Sequence, residues 1–212
     1  MNTSKDHWEK IYNTKEEKDF SWFQPYPKTS IEFIQLFNQP KNARIIDIGG
    51  GDSHLVDALI ELGYTNIHVL DISAKAMERA RQRLGNKASI VNWIVADVTA
   101  FESEGQFDFW HDRAAFHFLT SEDQISKYLA IVRKKLTPNG YLVLGTFSEK
   151  GPEKCSGLKI KQYSEASMSS LFEKDFKKIK CIEENHSTPF NILQNFVFCS
   201  FQKQGEHKIQ AL

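Results

Sequence analysis

From residue 44 onward, short apolar runs alternate with segments of helical periodicity, and this alternation limits the possible folds more than any other feature of the chain. RIIDI (44–48), NIHVLD (66–71), SIVNWIVAD (89–97), FDFWH (107–111) and YLVLGTF (141–147) read as strands. Between the first two, residues 53–62 place Leu55, Val56, Leu59 and Ile60 on one helical face. A second helix is expected over 74–84, and Ile125, Tyr128, Leu129, Val132 and Leu136 mark another, stopped by Pro138-Asn139-Gly140. The segment 98–106 is too short and polar for a crossover helix. Strands separated by helices pair in parallel with helices on both faces, so the expected fold is α/β and doubly wound. The rhythm changes at the end. KKIKCIEEN (177–185) and NFVFCSFQK (195–203) are separated by a loop too short for a parallel crossover, so they are expected to pair as an antiparallel hairpin at the sheet edge.

There is no repeat and no low-complexity linker in the 212 residues. The chain therefore reads as one domain over 41–205, preceded by an aromatic segment (1–40) and followed by a frayed tail (206–212). Lys plus Arg balances Asp plus Glu at 27 each, which supplies no basic footprint for nucleic acid or an anionic membrane. No apolar run approaches the ~20 residues of a membrane span, and the start lacks the apolar core of a signal peptide, so the expected location is the cytoplasm. Cys155, Cys181 and Cys199 are widely spaced, which suits neither a disulfide framework nor a metal site; the two in strand-like runs read as core thiols.

The loop between the first strand and its helix reads IIDIGGGDS (45–53). A glycine loop there lets a ligand approach the backbone and offers it the free N–H groups of a helix N-terminus. Dinucleotide binding would require a third glycine at position 54, where the chain has His54, and no Gly-Lys-Ser/Thr follows for a nucleoside triphosphate. Asp47 and Asp52 flank the loop, and two carboxylates beside a pyrophosphate repel it. The loop suits a ligand with an adenosine and a cation but no phosphate, which describes S-adenosylmethionine. Asp71 ends the second strand, where a carboxylate can accept from both ribose hydroxyls, and Asp97 ends the third, within reach of an adenine amino group. A lone strand-end Asp is as readily a cap or turn residue. Three successive strands ending in Asp, the first followed by Gly-x-Gly, is a much rarer pattern.

D-I-G-G-G-D-S, V-L-D-I-S and V-A-D-V resemble the first three motifs of the class I S-adenosylmethionine-dependent methyltransferases, and the resemblance extends over nearly the whole chain. It departs from D/E-x-G-x-G-x-G at Ser53, which takes the last glycine place. The resemblance implies a Rossmann-like, seven-stranded, mostly parallel sheet ending in an antiparallel strand. It also implies that Gly49 and Gly51 let the backbone meet the methionine portion, that Asp71 holds the ribose, that Asp97 with the Val98 amide reads the adenine, and that Asp47 and Ile72 belong to the cofactor site. HDRAAFHFLT (111–120) follows the fourth strand, where this family places the acceptor. That stretch is similar to a bacterial subgroup with H-W-E-x-x-Y, S-W-F-Q-P, G-P-E-x-C-S-G-L and H-x-T-P, found here at 7–12, 21–25, 151–158 and 186–189. Asp112-Arg113 also resembles the post-strand pair of small-molecule thiol methyltransferases.

Methyl transfer is an in-line displacement at a carbon already activated by sulfonium, so positioning and water exclusion contribute most. For an amine or thiol acceptor His111 or His117 is the candidate base, and for a carboxylate Arg113 is the candidate clamp. The competing reading makes His111 and His117 packing residues and Asp112-Arg113 a structural ion pair. Trp8, Tyr12, Trp22, Phe23 and Tyr26 form either a cap on the core or a lid on the cofactor, and the family resemblance favours a lid with Trp22 and Gln24 as contacts. The expected acceptor is a small molecule bearing an N, O or S nucleophile, with a protein lysine as the alternative. A module that binds the cofactor without catalysis is a third reading. An NAD-dependent oxidoreductase is disfavoured by the loop, and a nucleic-acid base by the absence of N-P-P-Y after the fourth strand.

Overall fold

A computed structural model describes residues 3–205, and the expected frayed tail lies outside the described residues. Five parallel strands, β1 (Ile45–Ile48), β2 (Ile67–Asp71), β3 (Val91–Val95), β4 (Phe107–Arg113) and β5 (Leu136–Phe147), form most of one sheet. After the two-residue strands β6 (Lys154–Cys155) and β7 (Leu158–Lys159) come β8 (Phe176–Ser187) and β9 (Leu193–Lys203). The seven-stranded order is β3-β2-β1-β4-β5-β9-β8. β9 runs antiparallel to both β5 and β8, so the hairpin inserts its second strand beside β5 and leaves its first at the edge, as the short loop requires.

Helices α3 (Leu55–Glu61) and α4 (Ala74–Leu84) follow β1 and β2, and α5 (Glu122–Lys135) and α6 (Glu165–Phe172) follow β4 and β5. The Ser73 hydroxyl caps α4 by accepting from Ala76 N–H at 3.1 Å, and Ser121 and Gln124 form a capping box on α5. Strand alternation divides the core between the two faces. Ile46, Trp110, Leu142 and Val197 pack toward α5 and α6, while Ile45, Phe109, Val143 and Phe198 pack on the other side. As expected, no α-helix links β3 to β4, only a short turn at Val98–Ala100.

The aromatic N-terminal segment contains two helices, α1 (Thr3–Thr14) and α2 (Lys28–Leu36). α2, within the expected 1–40 segment, buries Ile31, Phe33 and Ile34 in the core against α3. The reading of two free core thiols is overturned. Cys181 and Cys199 stand directly opposite on β8 and β9 and are joined as a disulfide, with Cα atoms 4.2 Å apart. Hairpin register brings together residues 18 apart in sequence, which spacing alone does not reveal. Cys155 is the buried free thiol. Among the described residues no helix is long and apolar enough to cross a membrane.

Candidate active site at the carboxyl ends of the parallel strands

β1 lies between β2 and β4, so the chain departs in opposite directions from its carboxyl end and opens a crevice there. The glycine loop forms the floor. Gly49 has φ +64°, and a Cβ on it would sit 2.5 Å from the Ala115 Cβ, so only glycine lets the loop pass under the turn that follows β4. Gly51, with φ +42°, brings the backbone against the Asp71 carboxylate and the Tyr12 hydroxyl. Gly51 lines neither of the two cavities at this end of the sheet; its close approach is to the Asp71 side chain.

The main cavity, about 150 Å³, runs from Asp71, Ile72, Asp97 and Val98 past Gly49 to Arg113, Phe118 and Cys155, under Trp8, Tyr12 and Trp22. A smaller one, about 40 Å³, adjoins it and is lined by Gln24, Ser30, Asp47, Gly50 and His111. Tyr12, Trp22, Gly49 and Arg113 belong to both, so the two are halves of one site. Every expected cofactor residue except Gly51 therefore faces it.

Asp71 and Asp97 combine the two roles that the sequence left open. Asp71 Oδ1 accepts from Ser73 N–H at 2.8 Å, and Asp97 Oδ1 accepts from Thr99 N–H at 2.8 Å. Among the described residues, Oδ2 of each has no hydrogen-bond partner. Burial pushes the Asp71 carboxyl up to about 7; the Ser73 hydrogen bond opposes the shift, and nearby Asp52, Asp47 and Glu9 add to it.

The expected catalytic group divides. Successive strand residues point to opposite faces, so His111, Asp112 and Arg113 cannot converge on one cavity. Asp112 turns away. Its Oδ1 accepts from Ala115 and Phe116 N–H at 3.1 and 3.0 Å, and its Oδ2 accepts from the Tyr128 hydroxyl at 2.8 Å. Burial raises it to about 6 against those hydrogen bonds. Asp112 lines neither of these two cavities and, among the described residues, forms no ion pair with Arg113; it builds the turn in which Ala114 adopts φ +63°. His117 is also removed from the catalytic group. It is fully buried, packs on Phe118 and Phe147, and is held neutral by burial, which lowers it to about 3.

His111 does line the smaller cavity, but both ring nitrogens are engaged, Nδ1 with Asp47 Oδ1 at 2.7 Å and Nε2 with the Ser30 hydroxyl at 2.9 Å. Trp22 stacks on Phe20, and its carbonyl accepts from Arg113 Nη1 at 3.0 Å. Gln24 approaches His186, whose Nε2 donates to the Ser21 carbonyl at 2.7 Å. Burial pushes the Cys155 thiol, at the cavity wall, up to about 11.

Sequence reasoning missed Ser30 and Glu9. Glu9 reaches from α1 to the start of α4, accepting from Ala74 and Lys75 N–H at 2.8 and 3.2 Å, while Arg79 of α4 donates to the Tyr12 and Lys15 carbonyls at the end of α1. The only signal for Glu9 is its place in H-W-E-x-x-Y, and nothing in the sequence marks Ser30. The four subgroup motifs thus meet at one site: Trp8 and Tyr12, Trp22 and Gln24, Cys155, and His186.

The model of the methyltransferase domain family matches residues 45–140, which include β1 to β4 and the glycine loop. That stretch is thus similar to a methyltransferase domain. The Mus musculus eEF1A lysine and N-terminal methyltransferase is 27% identical over 144 residues, 65% of this chain and 20% of that protein. The chain spans about a fifth of the length of such relatives. A structure described as the conversion of a disulfide bond into a thioacetal group during echinomycin biosynthesis superposes with TM-score 0.75 at 15% identity, covering 94% of this chain and 93% of that one. The N-methyltransferase NodS from Bradyrhizobium japonicum WM9, in complex with S-adenosylhomocysteine, superposes with TM-score 0.68 at 15% identity, covering 93% and 99%. At these identities the superpositions establish the shared class I methyltransferase fold.

Proposed function

We propose that the chain binds S-adenosylmethionine and transfers its methyl group to a small-molecule acceptor. The observation that carries this reading is the pair of strand-end carboxylates, Asp71 and Asp97. Each spends one oxygen on its own turn and keeps the other without a protein partner at the wall of the same cavity. Ribose hydroxyls and an adenine amino group are donors that complete such acceptors. The loop fits the amino-acid end: Gly49 admits no Cβ, and Asp47, fixed by His111, offers its second oxygen to an ammonium. NodS and the Burkholderia thailandensis 1,6-didemethyltoxoflavin-N1-methyltransferase, both of this fold, are bound to S-adenosylhomocysteine.

When bound, the cofactor supplies a methyl group activated by its sulfonium. The chain's own contribution is placement and dryness. Trp8, Trp22 and Phe118 wall the cavity with apolar surface, and the turn after β4 carries Arg113 and Ala115 to the end remote from Asp97. Among the described residues at that end no side chain is poised as a base, because His111 is engaged, His117 is walled off and Cys155 stays protonated. The acceptor must therefore react without a protein base, as a nucleophile that is already deprotonated or that releases its proton to water.

The enclosure beneath α1 favours a small acceptor. The likeness to protein lysine methyltransferases keeps a protein side chain as the second reading. The first test is calorimetric titration with S-adenosylmethionine, S-adenosylhomocysteine and NAD. Micromolar binding of the first two without the third is expected; a folded protein that binds neither sulfur compound overturns the proposal.

A further inference from the structure

Arg113 ends β4 and lines both halves of the site. Its Nη1 is committed to the Trp22 carbonyl, and its Cζ lies 5.0 Å from the centroid of the Phe196 ring, so the guanidinium is fixed from two sides. Nε and Nη2 are shielded from solvent and have no hydrogen-bond partner among the described residues, and Arg113 makes no ion pair there. Those two nitrogens form the side-on edge of the guanidinium, whose parallel N–H groups match the two oxygens of a carboxylate. Among the described residues no other lysine or arginine lines either half of the site. Burial lowers Arg113 to about 10, which leaves it cationic at neutral pH.

A shielded cation with two idle donors is costly, and a ligand that completes it recovers that cost. Asp47 and Glu184 are near enough to act on Arg113 through space, but neither closes a contact with it. The side-on edge thus lacks a partner on a residue that the two halves share; Gly49 lines both halves with it, and Cys155 the larger one.

We propose that the Nε–Nη2 edge of Arg113 is a carboxylate-binding site, filled in the working complex by the carboxylate of a bound small molecule. The inference rests on the methyl-transfer reading of the same site. Two molecules of that reading can supply the group, the amino-acid end of the cofactor or an acidic acceptor. Either one would neutralise Arg113, fasten the Trp22 carbonyl over the cavity and set the position of the ligand relative to Gly49.

The test uses the intact chain and its Arg113→Met and Arg113→Lys variants, each checked for folding by circular dichroism. The probes are S-adenosylhomocysteine, 5′-methylthioadenosine, which lacks the amino-acid end, and succinate and benzoate titrated onto protein with and without S-adenosylhomocysteine. If the cofactor supplies the carboxylate, Arg113→Met weakens S-adenosylhomocysteine at least tenfold and leaves methylthioadenosine within twofold. If the acceptor supplies it, both nucleosides bind unchanged, and succinate or benzoate saturates the wild type but not the Met variant. In either case Lys recovers only part of the loss, because it cannot present two parallel donors. A parallel loss of both nucleosides, or equal binding of every probe to wild type and variant, overturns the site. Failure of the wild type to bind either nucleoside instead refutes the methyl-transfer reading, and carboxylate binding to the ligand-free chain then decides the inference alone.

Discussion

His111 and Asp47 occupy register-matched positions on β4 and β1, and the imidazole Nδ1 lies 2.7 Å from the carboxylate Oδ1 in a fully buried contact. A carboxylate can only accept, so Nδ1 donates, and Nε2 meets the Ser30 hydroxyl on α2. The chain Asp47-His111-Ser30 joins the base of the glycine loop to the helix beside it. It fixes one oxygen of Asp47 and leaves the other without a hydrogen-bond partner among the described residues.

This arrangement makes His111 a positioning residue. His111→Ala is expected to lower stability by about 1.5–3 kcal/mol, the scale of a hydrogen bond to a charged group, because Asp47 stays buried without its donor. Ser30→Ala removes a neutral contact and is expected to cost about 0.5–1.5 kcal/mol. Urea unfolding of the two variants checks the order. A Ser30→Ala protein that loses more stability than His111→Ala contradicts it.

Asp71 gives the site a pH dependence whose sign follows from its environment. Its carboxyl is pushed up to about 7 mainly by burial, so the ligand-free protein binds a proton there at slightly acid pH. Ribose hydroxyls donate to the ionised form, so the ligand must displace that proton. Affinity for S-adenosylhomocysteine is expected to level off above about pH 8 and to be about tenfold weaker at pH 6, following the one-proton linkage. Asp71→Asn should flatten the profile, and Asp71→Ala should weaken binding by about 1.5–3 kcal/mol. Titrations at pH 6 and 8 decide it; identical affinities in the wild type would remove Asp71 from the ribose site.

Glu9 holds α1 over the cavity by accepting from the first N–H groups of α4. Because Ser73 also caps α4, Glu9→Ala is expected to loosen α1 while leaving α4 folded. Faster amide exchange in α1 and quicker dissociation of S-adenosylhomocysteine are the expected signs. Unchanged exchange across residues 3–14 would mean that α1 is part of the rigid body and no lid.

The parallel strands and the strand-end acids that line the cavity were legible because both are local: an apolar run, a helical stripe, an Asp at the strand end. Where the reading failed, the deciding information was non-local. Asp112 and His117 lie beside Arg113 in sequence, yet strand alternation and the tight turn at Ala114 point them into the core. Ser30 is 81 residues from His111, and α2 became visible only through the core it joins. The motif marks Gly51 as required, and the Asp71 carboxylate and the Tyr12 hydroxyl are the neighbours that a Cβ there would meet.

The Cys181–Cys199 disulfide gives a final prediction that separates stability from binding. It crosses the edge pair of the sheet, β8 with β9, whereas the glycine loop and the strand-end acids lie on the opposite half. Closing a loop of 18 residues restricts the unfolded chain by about 3 kcal/mol in the chain-entropy account. The oxidised protein should therefore unfold at higher urea than the reduced one by about that free energy, with the mass lower by two hydrogens. The affinity for S-adenosylhomocysteine should be the same in both states, since neither sulfur touches the cavity. A fall in affinity on reduction would show that the hairpin governs the site through β5, the strand that joins it to β4.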